Sequence, residues 1–228
     1  MTDTNARTPS GISDTTGQAD VPDVGFSVEE LQYLLSINPG SAADRSAEIL
    51  NVAPVPSIDE TILVGGAALL ARGQLEFVEG GEFTPVDAAL VVAYILTNAT
   101  KWTVVTGAAE ESGDLGIFVE SPQGGLLAQP RTLGTWWFII LDPAAPPTEI
   151  FLGTVMGMAT IAPTTAVVAQ TVTDDADRTF SLQRNDGAWA YAYGTSESPT
   201  PDRIVEAAAE EDLLVEVASF YAYFPEMS

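Results

Sequence analysis

The spacing of apolar residues changes once along this chain, at Thr100, and that change limits its fold more than any other feature. Before Thr100 the apolar residues recur at helical intervals. After it they fall into short β-rich runs, Lys101 to Thr106, Leu115 to Glu120 and Thr135 to Leu141, parted by Gly, Ser and Pro clusters. Asp142-Pro-Ala-Ala-Pro-Pro stops the third run, and Thr148 to Met158 then reads as a helix, weakened by Gly153 and Gly157. The order repeats. Thr165 to Thr173, Arg178 to Arg184 and Ala188 to Tyr193 read as strands, with Asn185-Asp186-Gly187 a hairpin turn between the last two. Thr200, Pro201 and Asp202 open a final helix running to about Tyr223. The expected fold class is therefore α+β: an N-terminal helical part, then two β-β-β-α units that could face each other across an antiparallel or mixed sheet with pseudo-twofold symmetry.

The helical part carries clear punctuation. Ser27 with Glu30 is a capping box, and Phe26 with Leu31 a hydrophobic staple, for a helix that buries Leu31, Leu34 and Leu35 and ends before Pro39-Gly40. Ser41 starts a short helix through Leu50, and Val52-Ala-Pro-Val-Pro is an extended connector. Ser57 with Glu60 is a second capping box, and Gly73 stands where its helix should stop. Gln74 to Val78 and Glu82 to Phe83 flank Gly80-Gly81 as a small ribbon. Thr84, Pro85 and Asp87 open the next helix, with Leu90, Val91, Tyr94 and Ile95 as its buried stripe. Helix, glycine stop, ribbon and helix resemble a winged-helix unit, without a basic recognition helix. Residues 1–24 lack any apolar period and read as a disordered tail. Residues 25–228 read as one domain, divided as 25–100, 101–163 and 164–228.

Composition narrows the function. Only Lys101 and seven arginines oppose 32 carboxylates, for a net charge of -24. Such a surface repels phosphate backbones, so nucleic acid is not an expected partner. The acidity serves either solubility or attraction to a basic partner or a cation. Cysteine and histidine are both absent, which removes disulfides, thiol nucleophiles, the usual zinc sites and histidine-based triads. No phosphate-binding loop, nucleophile elbow or dinucleotide fingerprint occurs. No stretch reaches the roughly twenty apolar residues of a membrane helix, and the N-terminus lacks the apolar core of a signal peptide. A cytoplasmic protein without cofactors, not an enzyme, is the expectation.

Few residues stand out as a site. Asp174, Asp175 and Asp177 form an acidic loop without the glycine and distant glutamate of a calcium hand, so a solvated turn accounts for them. Glu210, Glu211 and Asp212 suit the start of a helix. Trp136 and Trp137 point to opposite faces of one strand, and core packing explains at least one. Trp189, Tyr191 and Tyr193 share one face of a strand. As an outer face they would form a partner-binding patch; as an inner face they would be core. A protein that binds another protein is the first functional expectation. An acidic cation-binding protein or a carboxylate-based hydrolase is the alternative.

The segments FSVEELQYLL, ALLARGQL, TPVDAALVVAYIL and PPTEIFLGTVMGM, in this order around a β-β-β run, resemble the EspG proteins of actinobacterial type VII secretion. The likeness covers about residues 25 to 222 and is best at LLARGQL, Leu69 to Leu75. It implies a pseudo-twofold α+β core and a cytosolic chaperone that binds the tip of a helical substrate pair. It assigns no site residue.

Overall fold

The computed structural model describes residues 23–52, 60–78, 80, 82–109, 112–161, 165–173, 176–185, 188–195 and 203–222. The expected tail over 1–22, the capping box of Ser57 with Glu60 and the Asp186-Gly187 turn lie outside them.

The chain is α+β, with six helices, a nine-stranded antiparallel sheet and a two-stranded ribbon among the described residues. Strand β1 (Asp23–Ser27) leads into helix α1 (Val28–Ile37), followed by α2 (Ser41–Ile49) and α3 (Glu60–Ala71). The ribbon β2 (Leu75–Val78) and β3 (Glu82–Pro85) leads to α4 (Asp87–Thr97). Then come β4 (Lys101–Ala109), β5 (Ser112–Ser121), β6 (Gly124–Arg131), β7 (Thr135–Ile140) and α5 (Pro147–Ala159). A second set follows: β8 (Ala166–Thr173), β9 (Asp177–Asn185), β10 (Ala188–Gly194), β11 (Arg203–Ala208) and α6 (Glu210–Ala222).

Order therefore begins at Asp23 rather than Phe26. The segment before α1 is a strand, and Val24 and Phe26 sit opposite Phe138 and Trp136 of β7. Each unit has four strands, not three. The sequence reading missed β6 because its paired glycines and Pro130 looked like punctuation. Pro130 is tolerated because it lies beyond the end of the β5 pairing, beside β7 alone. It also missed β11, because Thr200-Pro201-Asp202 looked like a helix start. Instead Ile204 and Val205 pair with β10, and the helix begins at Glu210, where three carboxylates occupy its first turn.

The strand order is β1-β7-β6-β5-β4-β8-β9-β10-β11. Apart from β1 it reads the same outward in both directions from the antiparallel β4–β8 pair, as a pseudo-twofold axis normal to the sheet requires. The two units lay α5 and α6 on one face, over Phe118, Val167, Ala169, Phe180 and Leu182. The N-terminal helices cover the other face, but only over the first half, on Trp102, Ile117, Val119, Leu126, Trp136 and Phe138. On that face the second half of the sheet carries no helix.

Local chemistry explains how the N-terminal layer is held. Ser27 Oγ accepts from the Glu30 amide (3.2 Å) and the Glu30 carboxylate accepts from the Ser27 amide (2.8 Å), which completes the expected capping box. Arg72, in the turn after α3, donates to both Glu30 oxygens (2.8 and 2.9 Å) and to the Gly25 carbonyl (3.0 Å), which ties three elements together. Gly73 ends α3 at φ +69, a conformation that costs glycine nothing. Gly65 and Gly66 let α3 close on α1, since a Cβ there would collide with the Glu29 carbonyl or the Tyr33 ring.

The start of α4 departs from expectation. Thr84 and Pro85 belong to β3, opposite Glu76 and Leu75, and the side chain of Gln74 caps the helix by accepting from the Ala89 amide (3.2 Å). The expected buried stripe is rotated too. Ala89, Val92, Ala93, Ile95 and Leu96 face the sheet, whereas Leu90, Val91 and Tyr94 face away from it. Sequence periodicity could not choose between the two sides because both are apolar.

Candidate interaction surface

The aromatic ladder faces inward. Trp189 and Tyr191 are each 5% exposed and lie in the core beneath α5 and α6. The Phe180 ring packs 5.8 Å from Tyr191 and 5.2 Å from Tyr193. Tyr193 is half-buried, and its hydroxyl donates to the Glu216 carboxylate on α6 (2.7 Å). A partner could reach this face only by displacing α6, so the structure gives the ladder a packing role. Trp136 is buried against the N-terminal helices, and Trp137 stays partly exposed over Gly25.

The acidic candidates resolve similarly. Asp174 and Asp175 lie outside the described residues, and Asp177 accepts from the Gln170 amide (3.2 Å). Among the described residues no three acidic side chains are grouped to hold a metal ion. Lys101, the chain's only lysine, is fully buried. Its ammonium lies 3.0 Å from Glu120 Oε1, donates to the Tyr221 carbonyl near the end of α6, and sits 3.9 Å from the centre of the Tyr221 ring. Burial pushes this ammonium below the ordinary lysine range, and the Glu120 carboxylate pulls it partly back. Burial, reinforced by Glu120, pushes the Tyr221 phenol far above its usual value. This cluster opens onto no described cavity and acts as an internal tie between sheet and helix.

What stands open is the outer side of the N-terminal layer. Helix α3 is apolar on every side, a pattern expected of a helix buried all round. Yet it packs only on α1 and β2, through Ile62, the two glycines and Leu69. Its free side presents Leu63 (62% exposed), Val64 (58%) and Leu70 (44%). On α4, Leu90 (48% exposed), Val91 and Tyr94 continue one stripe that begins at Asp87.

The ribbon joins these two helices. Its register pairs Leu75 with Pro85 and Phe77 with Phe83, on one face. The first pair is buried; the second lies beyond the core, Phe77 being 66% exposed, with the rings edge to face at 5.4 Å. An aromatic pair that continues a core face past the end of the core is an unfinished contact. Sequence reasoning found each of these elements but placed Leu90, Val91 and Tyr94 inside. The all-round apolar character of α3 was the signal that could have exposed the surface.

A second open region is the bare half-sheet. Val168, Ser181, Ala190, Ala192 and Ile204 line a shallow trough of about 450 Å³ there, built mostly of small side chains. Among the described residues no helix is long and apolar enough to cross a membrane. No family model matches the chain, and no curated protein matches it in sequence.

Proposed function

We propose that this is a non-enzymatic binding protein that holds another protein on the outer side of its N-terminal layer. The observation that carries the reading is the joint exposure of apolar faces on α3 and α4, bridged by the Phe77–Phe83 pair. Large exposed apolar patches on a folded chain mark interaction surfaces, and aromatic side chains supply much of the energy at such surfaces. The high net charge keeps such a patch in solution. The resemblance to type VII secretion chaperones extends the reading to a cytosolic chaperone for a helical secretion substrate.

Co-expression with helical substrate pairs of a type VII system, followed by gel filtration, tests both levels. A co-eluting complex that Leu90→Glu with Tyr94→Glu abolishes, at unchanged melting temperature, supports the reading. A complex that survives the double change removes the surface from it. Failure of every such pair to bind the intact chain removes the secretion role.

A further inference from the structure

The charge around this surface carries more than its apolarity does. Between Glu60 and Thr100 the sequence holds five carboxylates and one cation, Arg72. That cation is committed inward, to Glu30 and the Gly25 carbonyl. Glu76 and Glu82 are exposed on the ribbon, on the face opposite Phe77 and Phe83. Asp87 is exposed at the head of the Leu90–Val91–Tyr94 stripe. Within this segment the apolar ground is therefore edged by carboxylates alone.

An acidic edge selects among occupants. A second copy of this chain, itself at -24, would bring like charges together on docking. An anionic lipid surface or a nucleic acid meets the same repulsion. A helix with one apolar face and lysine or arginine along its borders meets none. It gains apolar burial at the centre, and its rim charges speed and orient the encounter. Resting on the reading of this face as a docking surface, we infer that its ligand is a basic-bordered amphipathic helix, seated against the outer sides of α3 and α4 with the Phe77–Phe83 pair as an anchor. Glu76, Glu82 and Asp87 set the preference for positive charge.

Two synthetic amphipathic peptides of about 18 residues, or five helical turns, test this by calorimetry with the full chain. Both carry leucine on one face; one has lysine and the other glutamate along the borders. The lysine peptide is expected to bind at least tenfold more tightly, with affinity falling as salt is raised. Glu76→Gln, Glu82→Gln and Asp87→Asn together should weaken it at least fivefold. The distant set Glu210→Gln, Glu211→Gln and Asp212→Asn should leave it unchanged. Equal weakening by both sets would mean general attraction to an acidic protein and would overturn the inference, as would binding of neither peptide. Equal binding of both peptides would overturn the charge preference while leaving the docking surface intact. Tight lysine-peptide binding that survives Leu90→Glu with Tyr94→Glu would instead overturn the docking surface. Circular dichroism of each variant confirms that the fold is kept, since all five positions are exposed.

Discussion

Replacing Lys101 by methionine should cost far more stability than its ion pair contributes. The ammonium is out of water, 3.0 Å from the Glu120 carboxylate. At that distance the gross attraction is about 5–6 kcal/mol for an effective dielectric of about 20. Desolvating both charges offsets much of this, and the lowered pKa of Lys101 shows burial outweighing the attraction. The intact pair is therefore nearly neutral for folding. The single change leaves the Glu120 carboxylate largely buried, at 16% exposure, without its cation, and leaves the Tyr221 carbonyl without its donor. Breaking one side of such a pair costs about 3–5 kcal/mol. With a urea slope near 2 kcal/mol/M, the unfolding midpoint should fall by about 1.5–2.5 M. Adding Glu120→Gln to Lys101→Met should restore more than half of the loss, because the uncompensated charge is gone. A single variant within 1 kcal/mol of the parent, or a double variant no better than the single, would refute the reasoning.

Tyr191→Ala should lower stability by about 3–5 kcal/mol, as for other buried aromatics, and a melting curve unchanged within a degree would put the ladder outside the core. The raised pKa of Tyr221 predicts alkaline weakening. Below about pH 10 the phenol is neutral in both states; above it only the unfolded chain ionises, so stability falls by up to about 1.4 kcal/mol per pH unit. Lys101, with its pKa lowered, acts in the opposite sense up to about pH 10.4. Tyr221→Phe should therefore flatten the loss above pH 10 in urea titrations while changing the neutral-pH midpoint little. Gly65→Ala should cost about 1–3 kcal/mol by forcing α3 off the Glu29 carbonyl. Gly153→Ala, on an open side of α5, should instead stabilise by up to about 1 kcal/mol, and both are read from thermal melts.

The features legible in the sequence were those settled within a few residues. The Ser27–Glu30 box, the Gly73 stop and the β9–β10 pairing up to Asn185 and Ala188 depend on neighbours along the chain. Strand β6 was hidden because glycine and proline are read as breaks unless the pairing partner is known. Strand β11 was hidden because a threonine-proline-aspartate start is common to helices and turns. The order of strands follows from contacts far apart in sequence, which no local pattern records. The binding surface was misread for a related reason. When both sides of α4 are apolar, only the sheet decides which side is buried, and that decision is made by β5 to β7.

The pairing of β1 with β7 also bears on synthesis. The first described strand finds its partner only after Ile140 has been made, and the sheet bed for α1 and α4 arrives no earlier. At ordinary translation rates this leaves the helices waiting on the order of 5–25 s. Throughout that interval α3 and both sides of α4 are uncovered, a far larger greasy surface than the finished molecule shows. The nascent chain thus passes through a stage in which it is itself a client for ribosome-associated folding helpers, before its last strands turn it into a host for others.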